Sequence, residues 1–194
     1  MLPSVAKASL GSLRPIDWLG LHRKYLCPGE MEVIAALLRG VEAETMVEFG
    51  CRDGRTARVL LQNVAALRRY VGVDVPMEYL PRLPHQRDEM VPDPGCLAAS
   101  DPRFDLVLRE SGTLDLGPQD LEPCDAVFID GDHSEGVVTH DSDLARALVE
   151  PGGVIIWHDA NNDGVEVRQV LELDRQRGHD IKIIEGTWLA FERR

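Results

Sequence analysis

The chain has 194 residues, 44% of them hydrophobic, with 33 acidic against 21 basic side chains and a formal net charge of −12. That length supplies one core able to bury about two thirds of its unfolded surface, and leaves no room for a second full domain. The acidic balance argues against nucleic acid, whose phosphates need a basic patch, and no run of about 18 apolar residues offers a membrane span. Small-molecule chemistry is the expectation. The N-terminus lacks the basic-then-apolar order of a secretion signal, so the expected location is cytoplasmic. Cys27, Cys51, Cys96 and Cys124 form no C-x-x-C pair and read as reduced thiols.

Residues 1–28 are weakly periodic, with Trp18 and Tyr25 among polar neighbours, and are expected to cap the open edge of a pocket. Residues 29–194 form the domain proper. A helix over 29–39 carries Met31, Ile34, Ala35 and Leu38 on one face and stops at Gly40. "TMVEF" (45–49) is the first of seven short apolar runs, and a helix with Leu60, Val64 and Leu67 follows it. "YVGVDV" (70–75) is the second run. Residues 76–103 then hold six prolines where a crossover helix belongs, so only short turns fit, and such an insertion suits a lid or binding loop. "FDLVLR" (104–109) and "CDAVFID" (124–130) come next, then a helix with Val137, Leu144 and Leu148 facing the sheet, then "GVIIWH" (153–158). A last helix presents Val167, Val170 and Leu171. "DIKIIE" (180–185) and "TWLAFER" (187–193) are separated only by Gly186, too little chain for a crossover, and must pair antiparallel. Strands alternating with helices build a largely parallel α/β sheet, closed here by one hairpin.

Parallel sheets bind ligands beyond the carboxyl ends of their strands, where the connections diverge. "MVEFGCRDGRTARVL" (46–60) lies at such an end: Gly50 and Gly54 permit a sharp turn, and the helix that follows offers unpaired N–H groups. Glu48 would repel a phosphate but suits a cationic ligand, unless it only pairs with Arg52 or Arg55. Asp74 closes the second run, placed to accept hydrogen bonds from the two hydroxyls of a ribose. Neither G-x-G-x-x-G nor G-x-x-x-x-G-K-[ST] is present, which disfavours a dinucleotide or nucleoside triphosphate.

"VEFGCRDGRT", "YVGVDV", "CDAVFIDGDHSEG", "LVEPGGVIIWHD" and the final hairpin together resemble the class I S-adenosylmethionine-dependent methyltransferases over about residues 30–194. The likeness is nearest to small-molecule O-methyltransferases with an I-D-G-D-H-type motif. It implies a Rossmann-like, seven-stranded, mostly parallel sheet in the order 3-2-1-4-5-7-6, with the last strand antiparallel and helices on both faces. It further implies S-adenosyl-L-methionine as cofactor and a small hydroxylated acceptor, such as a sugar or secondary metabolite. Glu48, Gly50 and Gly54, with Cys51 between the glycines, would line the methionine moiety; Asp74 would hold the ribose; Glu110 and Ser111 fall where the family often contacts adenine. Asp130 belongs to both the cofactor and the catalytic set. Arg52 stands where the family motif has its middle glycine.

Asp130, Asp132 and His133 end the fourth run, and His158 and Asp159 end the fifth, so the two groups converge on one small volume. His133 is the expected general base, standing where metal-dependent relatives place a lysine, and the imidazole's ordinary pKa suits proton uptake near neutrality. Asp132 reads as a helix cap. Asp130 and Asp159 match two ligands of those relatives. Their third ligand, an asparagine, is Ala160 here, with His158, Asn161 and Asn162 as substitutes, so a divalent cation such as Mg2+ is an option the sequence leaves open. His22, His85, His140 and His179 read as surface or loop residues, and Trp157 as core. A homo-oligomer is compatible with all of this. The alternatives are a nicotinamide-dependent oxidoreductase, and a non-catalytic S-adenosylmethionine-binding partner subunit that uses segment 76–103 as its contact.

Overall fold

The computed structural model describes residues 2–194; Met1 and the side chain of His85 lie outside the described residues. Eight strands are present among the described residues: β1 (Ser4–Val5), β2 (Thr45–Phe49), β3 (Arg69–Asp74), β4 (Phe104–Leu108), β5 (Cys124–Ile129), β6 (Val149–Trp157), β7 (Lys182–Ile184) and β8 (Ala190–Arg193). The α-helices are α1 (Glu30–Gly40), α2 (Arg55–Asn63), α3 (Glu135–Leu148) and α4 (Val167–Gln176). The strands lie in one sheet in the order β1-β7-β8-β6-β5-β2-β3-β4, and β8 runs antiparallel to both of its neighbours.

The seven runs are β2 to β8, in the order the family likeness implies. The eighth strand is a correction. Ser4 and Val5 pair parallel with Ile183 and Ile184, so part of the segment expected to cap a pocket extends the sheet instead. Two residues are too short a stretch to show alternation, which is why the sequence gives no sign of them. The hairpin also differs in detail. Its turn spans residues 185–189, not Gly186 alone, and Thr187 organises it: the Thr187 hydroxyl donates to Ile184 O (2.7 Å) and accepts from Leu189 N (3.1 Å). At the end of α1, Gly40 is still helical and Glu42 takes the left-handed conformation (φ 53°).

Strand periodicity sorts the core into two halves. Val47, Phe49, Val127, Ile129, Ile155 and Trp157 pack with residues of α3 and α4 on one face. Met46, Tyr70, Phe128, Val154 and Ile156 pack with α1 and α2 on the other. On α3, Val138 takes the core position expected of Val137, which turns toward a cleft instead.

Segment 76–103 forms no α-helix among its described residues; a 3-10 helix over Pro84–Glu89 and a series of turns replace it. Its second half docks on the glycine turn after β2. Gly95 N donates to Arg52 O (2.7 Å) and Leu97 N to Asp53 O (2.9 Å). Gly54 permits this approach, because a Cβ there would meet Gly95 O at 2.9 Å. Inside the sheet, a Cβ on Gly72 would meet Cys51 Sγ at 2.7 Å and Phe104 Cε2 at 3.0 Å. Gly72→Ala should therefore overpack the floor under the turn and cost about 1–3 kcal/mol, read as a lower urea midpoint with an unchanged slope.

Candidate active site

β2 pairs in parallel with β3 on one side and β5 on the other, so the chain leaves the sheet in diverging directions and opens a crevice at their carboxyl ends. Gly50 forms its floor. Its φ is 86°, and any Cβ would collide with Asp130 O and Gly131 Cα, so only glycine lets the β2 and β5 loops touch.

Two hollows meet over this contact, sharing Gly50, Arg52, Glu89 and Asp130. The first, about 730 Å³ with its open mouth, is walled by Asp74 and Val75 after β3, Ser111 and Thr113 after β4, and Val137 of α3. Asp74 Oδ2 accepts from Arg52 N and Oδ1 from Val75 N (2.8 Å), and the Cys51 thiol also bonds this carboxylate. Burial pushes the Asp74 carboxyl above its ordinary range. Tyr79 and Gln86 of the insertion close the side of this hollow, and the Tyr79 hydroxyl donates to Asp132 Oδ2 (2.9 Å). Asp132 Oδ1 accepts from Ser134 N (2.9 Å), an Asx turn ahead of α3; the N-cap position is Ser134, which makes no side-chain cap bond, so the cap expected of Asp132 is not formed.

The second hollow, about 760 Å³, is more polar and holds Glu48, Cys51, His133, His158, Asp159 and Trp188. Glu48 is 1% exposed, and it pairs with neither arginine: the Tyr70 hydroxyl donates to its Oε2 (2.8 Å). Burial drives its carboxyl well above the usual range, against that hydrogen bond. Burial likewise pushes the Cys51 thiol up. Arg52 and Arg55 both pair with Asp53 instead (3.1 and 2.9 Å). Arg52 also donates through Nε to Glu89 O (2.7 Å) and lies under the Tyr25 ring, 4.7 Å from its centroid. One guanidinium thus joins residues 1–28 to the insertion across the mouth.

At the bottom of this hollow five ionisable side chains interlock. Glu30, fully buried at the start of α1, lies 3.1 Å from His158 Nε2, and accepts from Cys27 N and Trp188 N (2.6 Å each). His158 Nδ1 is 3.1 Å from Asp130 Oδ1 and 3.2 Å from Asp159 Oδ2. His133 Nδ1 is 3.3 Å from Asp159 Oδ2, and its Nε2 lies 3.5 Å from Asp130 without a hydrogen bond. Burial alone would raise both aspartates and lower both histidines; the mutual attraction reverses each. Asp130 falls to about 2 under the influence of the two imidazoles, chiefly His158. Asp159 drops below its usual range beside His158, His133 rises above its own beside Asp130, and His158 rises well above, mainly through Asp130.

Most residues expected from the sequence line the crevice: Glu48, Gly50, Cys51, Asp74, Ser111, Asp130, His133, His158 and Asp159. Two do not. Glu110 is exposed and borders neither hollow, its place taken by Gly112 and Thr113; Gly54 serves contact with Gly95. The candidate metal set also shifts. The donor atoms of Asp130, Asp159 and His133 lie within 4.8 Å of one another, whereas both nitrogens of His158 are taken up by carboxylates. His140, expected at the surface, is half-buried with Nε2 2.8 Å from Thr113 O. Glu30 and Gln86 were not foreseen. Gln86 is buried, accepting from His133 N (3.2 Å) and donating to Gly131 O (3.0 Å). Glu30 and His158 stand 128 positions apart in the chain, which explains why no local pattern marks their pairing.

The profile of a family described as a methyltransferase domain matches residues 47–160. No curated protein matches the sequence significantly. Among solved structures, an O-methyltransferase from Bacillus cereus in complex with SAH is 17% identical, with a TM-score of 0.60 over 96% of this chain and 86% of that one. A SAH-bound methyltransferase from Podospora anserina is 12% identical, with a TM-score of 0.61 over 84% and 77%. An O-methyltransferase involved in tomaymycin synthesis from Streptomyces achromogenes, in complex with SAM, is 19% identical, with a TM-score of 0.55 over 85% and 78%. At such identities the likeness establishes a shared fold.

His158 tests the interlock. Replacing it with Gln leaves Glu30 buried without its cationic neighbour and should cost about 3–5 kcal/mol. A raised imidazole pKa gives stability that is complete below the ordinary 6.5 and is lost as pH climbs through the folded value. The gap in urea midpoint between wild type and His158→Gln should accordingly be widest below pH 6.5 and shrink toward alkaline pH.

Proposed function

We propose that this chain, which belongs to the methyltransferase domain family, moves the methyl group of S-adenosylmethionine to a hydroxyl oxygen of a small molecule. The observation that carries this is the pair of hollows joined at Gly50 and Asp130. One is a mostly apolar slot with an acid, Asp74, in its wall, suited to a nucleoside. The other is a polar chamber with a histidine beside the junction.

When bound, the cofactor supplies an activated methyl carbon on its sulfonium. Asp74 would accept from the ribose hydroxyls, and Gly50 and Cys51 would border the methionine portion, with Glu48 beneath them. The acceptor would enter the chamber past Tyr25 and Trp188, so residues 1–28 serve as its cap and the insertion as the wall shared with the nucleoside slot. Held in line, donor and acceptor need mainly orientation. His133 would take the hydroxyl proton at Nε2, the nitrogen that has no hydrogen-bond partner. Its raised pKa means that this base is freed only as pH climbs above 6.5. Gln86, Asp130 and Asp159 fix its ring.

A second reading is favoured by the convergence of Asp130, Asp159 and His133. Two carboxylates and an imidazole fit a divalent transition cation better than magnesium, which prefers oxygen throughout. Those three residues would hold it, and it would acidify the acceptor hydroxyl.

Titration with S-adenosylhomocysteine should give saturable heat, and Asp74→Ala should weaken it about 10- to 100-fold by removing hydrogen bonds to a charged acceptor; no heat from wild type at millimolar ligand overturns the cofactor assignment. His133→Ala should lower kcat about 10²–10⁴-fold and abolish the rise in rate above pH 6.5. Activity unchanged by EDTA selects the base, and loss restored by Mn2+ selects the cation.

A further inference from the structure

β4 has one neighbour, β3, and ends the sheet with its other edge open. The chain on either side of it, 76–103 and 109–123, forms only turns and 3-10 helices among the described residues, so no crossover α-helix lies over this end of the sheet. A groove of about 990 Å³ with its open mouth follows the strand, lined in part by Val47, Val71, Val107 and Leu121. Leu106 and Leu108 are each 41% exposed. Phe104–Leu108 holds no lysine, proline or bulge, the usual devices that keep an edge strand from accepting another. Its charged neighbours are loosely held: Asp105 lies 3.5 Å from Arg69, and the Arg109 guanidinium donates to its neighbour's carbonyl, Leu108 O (2.9 Å).

Two hydrogen bonds fix which backbone groups look outward. Tyr70 N donates to Arg103 O (2.8 Å) and Arg109 N to Asp74 O (3.1 Å), so the odd-numbered residues turn their amides and carbonyls toward β3. By alternation, those of Leu106 and Leu108 turn away from it. An antiparallel copy has to set outward residues against outward residues, which puts the two-fold axis on a residue and not between two. On Val107 the letters D-L-V-L-R become self-complementary: Asp105 lies opposite Arg109 of the second copy, Leu106 opposite Leu108, and Val107 opposite itself. An axis on Leu106 would set Arg103 against Arg109, and one on Asp105 would set that acid against itself. We infer that β4 pairs antiparallel with β4 of a second copy of this chain, joining the two sheets across a two-fold axis at Val107. Leu106 and Leu108 then form the hydrogen-bonded pairs, and Val107 the close pair without hydrogen bonds. Arg109 gives up Leu108 O, which accepts instead from Leu106 N of the second copy, and turns to the opposing Asp105.

Sedimentation velocity on the full chain should show the monomer giving way to a two-chain species between about 1 and 200 µM, the weak association expected of a small interface. Asp105→Arg and Arg109→Asp should each weaken association about 10-fold or more, because both set like charges opposite one another twice across the axis. Mixed in equal amounts, with one variant isotopically labelled, the two should recover association as a pair holding one chain of each in native mass spectrometry, since each supplies the charge that the other lacks. A merely structural role for either residue gives no reason for that rescue. Wild type remaining monomeric at about 200 µM overturns the pairing. So does a wild-type dimer that both single variants leave intact, or a mixture that associates no better than its components. Should either variant fail to fold, hydrogen exchange on wild type decides: the Leu106 and Leu108 amides should gain about 10-fold protection across the same concentration range, and unchanged exchange there overturns the inference.

Discussion

Contact between the backbones after β2 and β5 is the constraint from which the site follows. Gly50 lies against Asp130 O and Gly131 Cα with no space for a side chain, in a conformation that other residues adopt only under strain. Because those loops touch, the two hollows share a floor, and Asp130 belongs to both. A wider separation would leave two unrelated cavities. Gly72 supports the same arrangement from below by admitting Cys51 into the sheet layer.

Above that floor, charge is balanced within the protein. Glu30, Asp130 and Asp159 surround His133 and His158, and the attraction outweighs burial for both aspartates and both histidines. Each imidazole carries a different burden. His158 is held on both nitrogens and takes its partners from α1 and from the turns after β5 and β6, which makes it a structural cation. His133 borders the chamber, and its buried Nε2 lies beside Asp130 without a hydrogen bond. The two look equivalent as letters; their neighbours separate them.

Much of this was legible from local sequence, and the remainder was not, for identifiable reasons. Strands buried on both faces announce themselves as apolar runs, so β2, β3 and β5 were found within a residue of their bounds; the edge strand β4 was found too, and β6 begins at Val149, four residues before its expected run. The order of charged and glycine residues around 48–54 located the crevice, because a strand end with two turn glycines has few other uses. β1 escaped because two residues cannot display a period, and the hairpin turn because Thr187 reads as a strand former until its hydroxyl is seen bonding Ile184 O. Glu110 was placed by analogy with a family position, and the backbone after β4 turns it outward. Glu30 and Gln86 are ordinary helix or loop residues by pattern. Their importance arises from contacts across the fold, which neither spacing nor composition encodes.

Arg52 holds a left-handed backbone (φ 49°) that a glycine would adopt freely. Its guanidinium touches Tyr25 on one flank and Glu89 on the other, while its amide donates to Asp74. Residues 1–28 and the insertion are therefore mechanically tied to Asp74, the residue proposed to hold the ribose. Grafting a foreign insertion or leader onto this scaffold to retarget it would disturb cofactor grip at the same time, so such an exchange has to carry the arginine's partners along with it.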